Sequence, residues 1–83
     1  LSVHTIADNQ VEALEFLVDE NTKHCGEPLK NLKLKRNVLI ASIVYATKTE
    51  ILSGDSIFQP GDTVIVVTSR QNLINKFNDV FEE

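Results

Sequence analysis

Lys30, Lys33, Lys35 and Arg36 crowd one short stretch of a chain that otherwise favours acid, with 12 Asp and Glu against 8 Lys and Arg and a formal net charge of −4. Cations spaced this closely can hold an anion. Arg36 offers planar, charge-assisted donors, and the neighbouring Asn37 carries both a donor and an acceptor. The turn bearing Leu34, Arg36, Asn37 and Val38 is therefore the candidate ligand-binding segment. A solvated basic face has the same composition, so the cluster alone does not establish a ligand.

The remaining reactive side chains are sparse. His24 adjoins Cys25, the chain's one cysteine, but neighbouring residues seldom align as thiolate and imidazolium, and no third group is placed to orient the pair. The plainer reading is a surface histidine and a half-buried thiol. His4 stands alone, without the spaced partners a metal requires, and reads as an exposed strand residue. Asp55 and Asp62 each follow glycine, where carboxylates usually accept from nearby backbone amides. The sequence contains no phosphate-binding glycine loop, zinc-protease helix, paired-cysteine motif or nucleophile elbow. No catalytic residue, metal or cofactor is expected in this chain.

The net charge excludes clustered-cation recognition of nucleic acid or anionic lipid as the main activity. A single cysteine allows no intramolecular disulfide and suits the reducing cytoplasm. The longest apolar run, Val38 to Ala46, falls far short of the roughly 20 residues of a membrane helix. With 83 residues beginning at Leu1, the chain reads as one soluble domain cut from a longer protein.

The elements that must position these residues are legible from periodicity. Thr63 to Thr68 is β-branched throughout, which restricts χ1 and suits a central strand. Gln59-Pro60-Gly61-Asp62 before it has the chemistry of a type II turn. Val38 to Tyr45 reads as another strand, joined through a turn at Ala46-Thr47 to a strand from Lys48 to Leu52. Val11 to Val18 fits either a helix stripe or an alternating strand, and strand is the preferred reading. Residues 1–10 form a linker or a first short strand, and 11–83 the domain proper. Gly26-Glu27-Pro28 opens a two-turn helix carrying Leu29 and Leu32, with Pro28 in its first turn. Ser53 to Ser56 is a polar turn, and Ile57-Phe58 a short extended piece. Leu73, Ile74, Phe77, Val80 and Phe81 form one apolar stripe, which predicts an amphipathic helix from Arg70 to Phe81 capped by Ser69. The expected fold is α/β in the α+β sense: a small, mainly antiparallel sheet of about four strands with a short helix and a C-terminal amphipathic helix.

The order of these pieces resembles the RCK C-terminal, or TrkA-C, domain family. Gly26 to Leu34 is similar to the family's G-x-x-L-x-x-L-x-L, and Leu39-Ile40-Ala41-Ser42-Ile43 to its L-I-x-x-I strand. The turn at Gly54-Asp55 and the turn at Pro60-Gly61-Asp62 before Val64 and Val66 are similar to its paired Gly-Asp turns. The ending is most like the C-terminal domain of TrkA-type potassium uptake subunits. The resemblance implies a regulatory, dimeric domain on the cytoplasmic face of the membrane. It also implies a membrane-embedded potassium transporter as partner, and nucleotide binding only in a domain upstream of this chain. Relatives that bind cyclic di-AMP carry a longer D-I-R-x-K-like turn. Here only a basic residue and Asn37 match it, so cyclic di-AMP is not the expected ligand, and the Leu34 to Asn37 turn is the candidate site should another small anion bind. Tyr45-Ala46-Thr47 and Leu52 also depart from the family pattern. A purely structural oligomerisation module and an accessory domain of an enzyme are the alternatives.

Counting apolar faces predicts self-association. Val38, Ile40 and Val44 alternate with Leu39, Ala41, Ile43 and Tyr45, and Val64 and Val66 with Ile65 and Val67. Both sheet faces need cover, the C-terminal helix supplies one, and the short helix shields a corner of the other. A symmetric homodimer completes the count.

Overall fold

The computed structural model describes residues 2–6, 10–45 and 48–82. Five strands form one antiparallel sheet in the order β1-β2-β5-β3-β4. They span Ser2–Ile6 (β1), Val11–Leu17 (β2), Val38–Tyr45 (β3), Lys48–Glu50 (β4) and Thr63–Ser69 (β5). The all-β-branched run is the central strand, as its composition requires, and pairs with both β2 and β3. The ambiguous Val11 segment is a strand, with Leu14 and Phe16 turned into the core. The expected turn at Ala46-Thr47 lies outside the described residues.

Both expected helices are replaced by short 3-10 turns. The first spans only Leu29–Asn31, and Pro28 caps it in an extended conformation at ψ 140° instead of occupying its first turn. Backbone bonds from Leu29 to the Ser56 carbonyl and from Lys30 to the Gly54 carbonyl, each 2.9 Å, tie this piece to the 53–58 loop. Leu32 is already extended. Leu34 then forms an antiparallel bridge with Phe81, flanked by Lys35 N–H to the Val80 carbonyl at 2.8 Å and Glu82 N–H to the Lys33 carbonyl at 2.9 Å.

The C-terminal amphipathic helix does not form, and only Phe77–Val80 makes a 3-10 turn. Short polar side chains compete with helical backbone bonding. The Asn72 carboxamide donates to the Arg36 carbonyl at 2.9 Å and the Thr68 hydroxyl at 3.0 Å. Asn78 accepts from Lys23 N–H at 2.9 Å and donates to the Asn21 carbonyl at 3.0 Å. The Asp79 carboxylate accepts from the Asn75 and Lys76 amides at 3.0 and 3.1 Å. Ser69 caps a turn, accepting from Gln71 N–H at 3.3 Å. Residues 70–82 are thus a strap pinned across the sheet. Ile74, Phe77, Val80 and Phe81 are still buried, while Leu73 is 83% exposed.

One core lies under this strap. Leu14, Phe16, Ile40, Ile43, Val64 and Val66 from the sheet meet Phe58, Ile74, Phe77, Val80 and Phe81. Phe77 is its hub, with ring centroids 5.7 Å from Phe16, 5.1 Å from Phe58 and 5.6 Å from Phe81. The sequence assignment of Ile43 to the face opposite Ile40 is corrected by a β-bulge. Ile40 pairs with Val66 and Ser42 with Ile65, so Ala41 is the extra residue and Ile43, opposite Val64, returns to the core face.

Candidate functional site

The candidate ligand turn joins the Leu34 bridge to β3, and its four residues divide by role. Leu34 and Val38 are half-buried and pack against the core. Arg36 and Asn37 are exposed. The turn is held through main chain: the Arg36 carbonyl accepts from Asn72, and the Asn37 carbonyl accepts from Ser69 N–H at 3.0 Å. Asn37 itself adopts φ 62°, the left-handed conformation that asparagine tolerates better than most residues. Beside it, Gln10, Asn37, Leu39, Val67 and Ser69 line an open cavity of about 420 Å³. Arg36 stands outside that lining.

The basic cluster is dispersed by the fold. Lys30 Nζ lies 2.9 Å from Asp55. Lys33 shares a shallow recess with His24, Asn31 and Glu82. Asp79, held below its ordinary value of 3.8, senses Lys35: burial alone would raise it, but the two amide bonds and the charges of Lys76 and Lys35 together outweigh that. The four cations therefore do not converge on one point.

Glycine and proline stand in turns closed by backbone bonds. Gly61 sits at φ 97°, and the Asp62 amide closes the turn onto the Gln59 carbonyl at 3.0 Å. The Asp62 carboxylate accepts from Gln59 N–H at 2.9 Å. Asp55 departs from expectation: its carboxylate pairs with Lys30, and the Ser53 and Ser56 hydroxyls serve the Gly54 turn instead. Gly26 takes φ 81° and donates to the Phe58 carbonyl at 2.9 Å.

His24 and Cys25 face different partners. The imidazole Nδ1 lies 2.7 Å from Glu27 and the ring packs edge-on to Phe81 at 4.7 Å, so the histidine is half-buried where a surface residue was expected. The Cys25 thiol approaches the Thr22 carbonyl at 3.5 Å. Burial, then the negative charges of Asp19 and Asp62, push this thiol above its ordinary value of 9.0, which disfavours the nucleophilic thiolate. Among the described residues no group of three or more His, Cys, Asp or Glu is placed to hold a metal. His4 lies in β1, opposite Ala13. No helix of the described residues is long and apolar enough to cross a membrane.

Among the described residues one sheet face is bare. Strap and 3-10 turns all cover the same side, so the expected division of cover between two faces does not occur. On the other side, Leu17 is 68% and Leu39 61% exposed. Val11, Ala13, Val44, Ile65 and Val67 lie part-exposed around them.

The TrkA-C domain family matches residues 13–81. A Trk system potassium uptake protein TrkA homolog from Archaeoglobus fulgidus is 34% identical over 73 residues, 88% of this chain and 17% of that protein. A Trk system potassium uptake protein TrkA homolog 1 from Methanosarcina mazei is 32% identical over 62 residues, 75% of this chain and 14% of that protein. The chain thus spans less than a fifth of the length of these curated relatives.

Proposed function

The chain belongs to the TrkA-C domain family, and from that premise we propose that it is a non-enzymatic regulatory domain of a potassium-transport protein, paired with a second copy through the bare face of its sheet. Its place is the cytoplasmic side of the membrane, beside a membrane-embedded transporter subunit. Nucleotide binding belongs to the rest of the parent protein.

The observation that carries this reading is the exposure of Leu17 and Leu39 on a sheet face that also presents Val11, Ala13, Val44, Ile65 and Val67, with Glu15 and Thr63 among them. Each such side chain gains roughly 1.5 to 3 kcal/mol on full burial, enough for a few of them to offset the entropy lost on association. A two-fold axis would place each copy's Leu39 face against the other's. Sedimentation equilibrium at about 100 μM, where a weak pair is still populated, is the test. The dimer is expected, and Leu39→Asp is expected to yield a monomer of unchanged fold. A wild-type monomer at that concentration removes pairing from the reading.

A small anionic ligand at Arg36 and Asn37 would regulate by binding two arrangements of the pair unequally. Because the Arg36 main chain, not its side chain, holds the turn, Arg36→Ala should abolish a ligand-induced rise in Tm and leave the free domain's Tm alone. The left-handed backbone at Asn37 supports a second reading, a purely structural module, since it explains an asparagine there without any ligand. Absence of a Tm rise with small anions, nucleotides and divalent cations would favour that module.

A further inference from the structure

At the far end of β3 from the ligand turn, the core face of the sheet runs past the loops that cover it. Tyr45 shares its face with Ile43, and Glu50 of β4 lies opposite Ile43. Both therefore point to the core side, but beyond the strap. The Tyr45 hydroxyl donates to Glu50 Oε1 at 3.1 Å. With Ile57, Gln59 and Asp62 they form an open cup of about 320 Å³, room for one long side chain. Its walls are an aromatic ring and an aliphatic side chain, Tyr45 at 38% and Ile57 at 39% exposure, and Ile51 beside it is 95% exposed. Its polar rim carries two carboxylates. Among the described residues the ion pairs join His24 to Glu27, Lys30 to Asp55 and Arg70 to Glu12, and none reaches Glu50 or Asp62.

We propose that this cup is a docking site for a segment of a partner protein that presents an arginine beside an aliphatic side chain. Charge complementarity selects the occupant: the lining holds two carboxylates against one nearby cation, Lys48, which stands opposite Tyr45 on the same face outside the lining, so the cup stays net negative and favours a cation over an anion. The ring and Ile57 select a cation with an apolar stem and a flat head. Guanidinium stacks on an aromatic face and can bridge two acceptors, which hydrated ammonium does less well. The neighbouring aliphatic side chain covers Ile51. This site stands on the opposite sheet face from Leu39, so its success or failure is separate from that of the pairing.

The test titrates the 83-residue chain with the capped tripeptide Ile-Arg-Ile and with its isosteric citrulline counterpart, following backbone amide shifts by NMR. The arginine peptide is expected to bind weakly and to move the Tyr45, Glu50, Ile57 and Asp62 resonances, with the citrulline peptide several-fold weaker. Glu50→Gln should weaken the arginine peptide about fivefold, the scale of one partly exposed ion pair. Equal binding of the two peptides, no response to Glu50→Gln, or shifts confined to the Leu17 and Leu39 face would overturn the proposal. So would movement of the cup resonances with protein concentration alone, because the occupant would then be a second copy.

Discussion

Ile40 and Ile43 stand three residues apart on β3 and yet face the same core, at 6% and 0% exposure. Ala41, unpaired between them, takes up the odd residue. The bulge thereby assigns each side chain of the strand's second half to its face, and it turns Val44 toward the bare face and Tyr45 toward the cup.

Truncating Ile43 should therefore behave as a core deletion and truncating Leu39 as a surface change. Ile43→Ala is expected to cost about 2 to 5 kcal/mol, and Leu39→Ala under about 0.5 kcal/mol in the monomer. Urea denaturation at a concentration low enough to avoid pairing measures both. Similar losses at the two positions would contradict the bulge.

Asn37 offers a backbone test of the ligand turn. Glycine adopts φ 62° freely, so Asn37→Gly should leave stability within a few tenths of a kcal/mol, whereas Asn37→Val should lose about 1 to 2 kcal/mol. Thermal melts of the two variants beside wild type decide it. Equal melts would mean that the left-handed turn is not what asparagine serves there.

Asp79 ties the strap together and should make it acid-sensitive. Its carboxyl lies below the ordinary 3.8, since burial, which alone would raise it, is outweighed by the amides of Asn75 and Lys76 and by the two lysine charges. A carboxyl held low in the folded state contributes fully above its unfolded value and loses that contribution as pH falls through the folded value. Stability should drop below about pH 4 by this route, and Asp79→Ala, about 1 to 2 kcal/mol less stable at neutral pH, should lack that part of the drop. Denaturation midpoints between pH 2 and 7 compare the two; parallel curves would exclude the carboxylate.

The Ser42 hydroxyl is enclosed without a hydrogen-bond partner among the described residues. An enclosed donor that bonds to nothing costs stability, so Ser42→Ala should be neutral or stabilise by up to about 1 kcal/mol. A clear fall in Tm would reveal a bond this arrangement lacks.

Local chemistry alone determined the centre of this protein. Six consecutive residues from Thr63 to Thr68 are restricted at Cβ, and the Pro60-Gly61 turn supplies the required φ, so strand and turn follow without reference to the rest of the chain. The paired glycine turns, together with the leucine spacing from Gly26 to Leu34, also marked the TrkA-C family. The terminal stripe is the instructive failure. Its apolar spacing chose the residues that enter the core, Ile74, Phe77, Val80 and Phe81, but not the conformation that carries them there. Asn72 and Asn78 bond to groups 36, 55 and 57 residues away, and such partners leave no trace in local periodicity. The same holds for the face of Ile43 and the bare sheet: a bulge is set by register against β5, and cover by where distant loops land. Period and propensity act through near neighbours, whereas only the folded chain brings distant backbone within hydrogen-bond reach and decides which apolar face remains open.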